Sequence, residues 1–104
     1  MAALVISRSA KADLLSIGAY TLERWGRVQA ERYLDDLELC LELLAANPLL
    51  GRECEWIRPG LCRFEKGRHV VFYGRKSVGI HVSRILHQSM LPEGEHFDDP
   101  AEFE

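Results

Sequence analysis

The chain reads as an α+β domain: a helical hairpin packed on one face of a small, mostly antiparallel four-stranded sheet, in the order β-α-α-β-β-β. Three observations predict it. The apolar period is helical from about residue 10 to residue 46 and becomes two after residue 60. The two helical stretches are separated by little more than Gly26, which makes them an antiparallel pair. A chain of 104 residues, 47% hydrophobic and 28% charged, suffices for one core and is too short for two.

Leu4-Val5-Ile6 is a β-branched run and predicts a first strand over 3–7. Ser9 is placed to cap a helix over 10–25. At 100° per residue Leu14, Ile17, Gly18, Thr21 and Trp25 share a face, with Leu15 and Leu22 on its flank. Trp25 reads as a core anchor at the hairpin corner and Gly26 as the helix terminator. The second helix, 28–46, carries the stripe Ala30, Tyr33, Leu34, Leu37, Leu41, Leu44 and stops at Asn47-Pro48. Leu39 and Leu43 lie almost opposite that stripe, with Val28 and Ala46 to one side. This second apolar face is read either as scattered exposed leucines or as a docking groove.

After the loop 47–59, the segments 61–65, 69–75 and 79–86 alternate as strands. Glu65-Lys66-Gly67-Arg68 makes a hairpin turn with Gly67 left-handed, and 75–79 makes another. The three strands form a meander, which the first strand joins after the helical crossover. The sheet face away from the helices is expected to stand open as a binding surface. Residues 1–90 are read as the single domain, and 91–104, with Pro92, Gly94, Pro100 and six acids, as an acidic, partly ordered tail.

Charge is partitioned along the chain. Residues 1–51 hold 5 basic and 7 acidic side chains, net −2; residues 52–84 hold 8 and 3, net +5; residues 85–104 hold none and 6, net −6. The basic middle invites an acidic partner or guards a sheet edge. The acidic total argues against direct sequence-specific nucleic-acid binding by the chain alone. Cys40, Cys54 and Cys62 lack any Cys-x-x-Cys spacing, so neither a metal site nor a disulfide framework is expected, and no cofactor is implied. No apolar run reaches the roughly 18 residues of a membrane span, and no signal peptide is read at the start, so a cytoplasmic protein is expected.

Four stretches stand in register: Tyr20-Thr21-Leu22-Glu23-Arg24-Trp25-Gly26; Asn47-Pro48 with Gly51-Arg52; Gly67-Arg68-His69-Val70-Val71-Phe72-Tyr73; and Ser83-Arg84-Ile85-Leu86-His87-Gln88-Ser89-Met90. In this order they resemble the ParE branch of the RelE/ParE toxin superfamily, over roughly residues 4–90. The resemblance implies the toxin of a type II toxin–antitoxin module, often labelled a plasmid stabilisation protein. It further implies inhibition of DNA gyrase by protein–protein contact and a cognate ParD-like antitoxin. The alternative within the superfamily is a RelE-type, ribosome-dependent messenger endoribonuclease.

Cleavage through a 2′-hydroxyl needs a base, cations on the phosphate and an acid for the leaving oxygen. The nuclease reading would draw these from Arg63, Arg84 and His87, with His81 or His96 as further proton carriers. The stretch after His87 has no Lys, Arg or Tyr and is acidic, which disfavours RNA. The expectation is therefore a non-enzymatic protein with no catalytic residues. Arg84 interrupts an apolar strand and either pairs internally or faces a partner. Two surfaces suit an antitoxin: Leu39 and Leu43 for an amphipathic helix, and Arg63, Arg68 and Arg84 for its carboxylates.

Overall fold

A computed structural model describes residues 3–89. The elements in order are β1 (Ala3–Ile6), α1 (Arg8–Trp25), α2 (Arg27–Ala46), a 3₁₀ turn (Pro48–Leu50), β2 (Arg52–Glu53), β3 (Leu61–Lys66), β4 (His69–Arg75) and β5 (Gly79–His87). Tail residues 91–104 lie outside the described residues.

The helical hairpin and the meander stand as expected, but the sheet has five strands and is mixed. Its order is β1-β5-β4-β3-β2, with β1 parallel to β5 and the other pairs antiparallel. The additional strand, β2, is two residues long, and Arg52 and Glu53 pair with Arg63 and Cys62. So short a segment has no alternation to read. It is held by tertiary contacts: the buried Tyr73 hydroxyl donates to the Pro48 carbonyl at 2.7 Å and accepts from the Gly51 N–H at 2.9 Å.

The start of α1 also differs. Ser7, not Ser9, is the cap: its Oγ accepts from the Ala10 N–H at 3.0 Å and donates to the Ser83 carbonyl at 2.8 Å. The Ser7 N–H bonds the Val82 carbonyl, so one buried residue ends β1, opens α1 and ties both to β5. At the other end Trp25 is 60% exposed, not an anchor in the core. Ile17 and Thr21 bury the helix face instead, and Gly26 (φ +90°) closes α1 with its N–H on the Leu22 carbonyl.

The main core lies between hairpin and sheet. Leu37, Leu41 and Leu44 of α2 meet Val71 and Tyr73 of β4 and Ile80, Val82 and Ile85 of β5. Leu14, Tyr33 and Leu34 pack against its edge. The opposite face of the sheet is not open. Cys54, with Ile57 against it, covers Leu61, Val70, Phe72 and Leu86 in a second, smaller core. The loop over that face is pinned by Cys54 N–H to Leu61 O (2.9 Å) and Ile57 N–H to Cys54 O (3.0 Å). No described helix is long and apolar enough to cross a membrane.

Candidate functional site

Arg63, Phe72 and Arg84 form one row across β3, β4 and β5. Arg63 lies over the Phe72 ring at 5.8 Å and reaches the Glu65 carboxylate at 3.1 Å. Arg84 is bound in a bidentate pair: its Nε donates to Asp13 Oδ2 at 2.7 Å and its Nη2 to Asp13 Oδ1 at 2.8 Å. Asp13 Oδ2 also accepts the Ile85 N–H at 2.9 Å. β1 ends opposite Val82, so past that point β5 is an edge strand, and the carboxylate stands in for the missing neighbour. Arg84 is thus tied internally, pinning α1 to β5.

The residues proposed for nuclease chemistry are not gathered in one cleft. His87, at the end of β5, lines a groove that neither Arg63 nor Arg84 lines. His81 sits near the start of β5, its ring over Gly74, and burial with the nearby Lys76 and Arg58 holds its imidazole below the ordinary pKa. His96 lies outside the described residues.

The groove runs between α1 and the His87 end of the sheet, in two adjoining depressions of about 520 and 430 Å³ that share Tyr20, His69 and His87. Asp13, Ser16 and Ile17 line one; Trp25, Gln29, Tyr33, Gly67 and Arg68 line the other. His69 and His87 are paired across β4 and β5, their rings edge to face at 5.4 Å. The Tyr33 hydroxyl meets His69 Nδ1 at 2.6 Å while accepting from the Arg68 N–H at 3.3 Å. The Ser89 N–H donates to His87 Nδ1 at 3.1 Å. Burial, then the neighbouring His87, lower the His69 pKa, opposed by Asp13. Burial raises that of Tyr33, against the Arg68 amide and charge. Sequence reasoning placed Tyr33 in the core stripe and missed His69, Tyr20 and Trp25 as groove residues.

The outer face of α2 is exposed as read: Leu39 by 63%, Leu43 by 50% and Val28 by 72%. Arg68 is exposed in the β3–β4 turn, where its carbonyl accepts the Gln88 N–H at 2.8 Å. Cys40, Cys54 and Cys62 are buried free thiols. Burial, then Cys62, push Cys54 up to about 11, so it is a protonated core residue at neutral pH rather than a nucleophile.

Comparison with known proteins agrees with this architecture. Residues 4–92 match the model of a family described as the ParE toxin of the type II toxin–antitoxin system parDE. Toxin ParE1 of Caulobacter vibrioides is 45% identical over 85 residues, covering 82% of this chain and 88% of the relative. Toxin ParE1 of Mycobacterium tuberculosis strain H37Rv is 44% identical over 87 residues, covering 83% and 89%. Toxin ParE of Escherichia coli is 33% identical over 91 residues, covering 86% and 88%. A solved structure described as a chromosomal ParDE TA system from P. aeruginosa superposes with a TM-score of 0.71 at 26% identity, over 84% of this chain and 96% of that one. By its motifs, its fold and these relatives, the chain belongs to the ParE toxin family of type II toxin–antitoxin systems.

Proposed function

We propose that this toxin acts by protein–protein contact on DNA gyrase in the cytoplasm, stabilising the cleaved DNA–enzyme state, and is neutralised by a ParD-like antitoxin. The choice of gyrase rests on what the resemblance to ParE toxins implies. The observation that carries the non-enzymatic reading is the engagement of the basic residues: Arg84 is locked to Asp13, Arg63 is drawn to Glu65, and neither lines the groove of His87. A guanidinium already paired with a carboxylate is a poor phosphate clamp.

The antitoxin reading rests on the unpartnered leucines of α2, which match the i, i+4 spacing of an amphipathic helix, and on the basic side chains Arg63 and Arg68. Arg84 contributes indirectly, holding β5 against α1. Induced expression tests the whole reading, with DNA breaks, supercoiling and translation followed separately. Early DNA breaks with translation intact are expected; rapid messenger cleavage would replace this reading with the endoribonuclease one.

A further inference from the structure

Both groove histidines have Nδ1 occupied by the protein. The Ser89 N–H can only donate, so His87 Nδ1 accepts and its neutral ring carries the proton on Nε2. The Tyr33 hydroxyl holds His69 Nδ1 at 2.6 Å, while its oxygen accepts from the Arg68 N–H at 3.3 Å and its proton also has the Lys66 carbonyl within reach at 3.4 Å, so His69 Nε2 is the ring nitrogen left for a ligand. His87 therefore presents an Nε2–H donor as the neutral ring, and His69 presents one when protonated, from neighbouring rings held edge to face in a groove otherwise mostly apolar. Beside them stand Tyr20, 58% exposed, and Trp25, 60% exposed, two aromatic side chains outside the core. Arg24 lies over Tyr20 at 5.7 Å, and Arg68 lines the groove from the β3–β4 turn.

We propose that this groove binds a phosphorylated nucleoside unit, free or at the end of a single strand. The imidazoles and Arg68 take the phosphate, and Tyr20 and Trp25 stack the base. Perpendicular rings offer donors in different planes, which suits a tetrahedral oxyanion better than a planar carboxylate. Exposed aromatic faces next to cations are what sequence-independent stacking of a base requires. The depressions are within the range of small-ligand sites. The ionisable and charged groups around the pair are Asp13 and Tyr20 from α1, with Arg24 over the Tyr20 ring, Tyr33 from α2, Lys66, the register partner of His69 at the end of β3, and Arg68 from the β3–β4 turn. Asp13, the carboxylate among them, is occupied by Arg84 and the Ile85 amide. Phosphate binding draws protons onto the histidines, so affinity rises as pH falls from 8 to 6. The site does not depend on gyrase being the target.

The test titrates the full chain, carrying Trp56→Phe so that fluorescence reports Trp25, with adenosine monophosphate, inorganic phosphate and adenosine. Adenosine monophosphate should quench Trp25 saturably, raise the NMR titration midpoints of His69 and His87 by at least about half a pH unit, and bind about tenfold tighter at pH 6 than at pH 8. Inorganic phosphate should move the midpoints without quenching, and adenosine should bind at least about tenfold more weakly. His87→Gln, which leaves the Tyr33–His69 bond in place, should reduce the pH dependence from about tenfold to about threefold, the part that His69 carries. A 5′-phosphorylated tetranucleotide binding at least about tenfold tighter than the mononucleotide would identify a strand end as the ligand, and equal binding a free nucleotide. Unmoved midpoints, equal binding by adenosine, or an unchanged response in His87→Gln would overturn the proposal.

Discussion

Asp13 concentrates more consequence than any other polar residue, because one carboxylate satisfies a guanidinium and an edge-strand amide together. Asp13→Ala leaves both without a partner in a mostly buried setting and should cost about 2–4 kcal/mol, measured by urea unfolding. The double variant Asp13→Leu with Arg84→Met should recover part of that loss, since the guanidinium no longer needs a counter-charge. From sequence alone Arg84 was ambiguous between internal pairing and partner contact. Its partner lies 71 residues away on another element, and no local spacing encodes that pairing. His69 gives a second residue-scale prediction. Its folded pKa is lowered from 6.5, so the unfolded chain binds the proton more readily, and His81 acts in the same sense. Their contribution to stability is complete above about pH 6.5 and is lost as pH falls from there toward the folded pKa. His69→Gln should therefore flatten the fall in urea midpoint between pH 7 and pH 5, and a steeper fall would contradict the assignment.

At the scale of elements, the helices and the meander were legible because each carries a repeated period, whereas what departed from expectation has none. β2 is too short to alternate. The cap fell on Ser7 rather than Ser9, and Ser7 is held there by its bond to the Ser83 carbonyl of β5, a tertiary contact. The histidine pair is the instructive case. Near the turn β5 pairs Arg75 with Ile80 and Tyr73 with Val82, a register that, continued, would set His69 against Leu86. An irregularity at Ser83 shifts it by one, so that Phe72 meets Arg84 and His69 meets His87. A one-residue slip moves side chains to the other face of a sheet, and nothing in the local sequence announces it. Two glycines test the element joints by contrast. Gly26 has φ +90° with open space where a Cβ would stand, so Gly26→Ala should cost about 1–2 kcal/mol, from backbone conformation alone. At Gly79, φ +96°, a Cβ would collide with the Ala3 backbone at the parallel β1–β5 pairing, so Gly79→Ala should cost clearly more and loosen β1. Thermal unfolding of the two variants side by side checks the order; equal losses would show that β1 contributes little.

For the molecule as a whole, the two-sided sheet redirects where a partner docks. With one face under the hairpin and the other under the loop of Cys54 and Ile57, the groove and the outer face of α2 are two surfaces left for docking among the described residues. Leu39 and Leu43 project from a helix whose opposite side already fills the core through Leu37, Leu41 and Leu44. Their truncation should therefore leave the isolated toxin folded. A well-buried leucine at an interface is worth about 1–2 kcal/mol, so Leu39→Ala with Leu43→Ala should weaken antitoxin binding by at least about tenfold. Arg63→Glu should weaken it as well, with a marked dependence on salt if its half-exposed partner Glu65 is displaced by antitoxin carboxylates. Calorimetry with the purified antitoxin, beside an unfolding curve for each variant, separates lost contact from lost fold. Unchanged affinity in the double leucine variant would remove the outer face of α2 from the interface and leave the basic side chains Arg63 and Arg68 to carry the antitoxin contact, which the Arg63→Glu titration then reads directly.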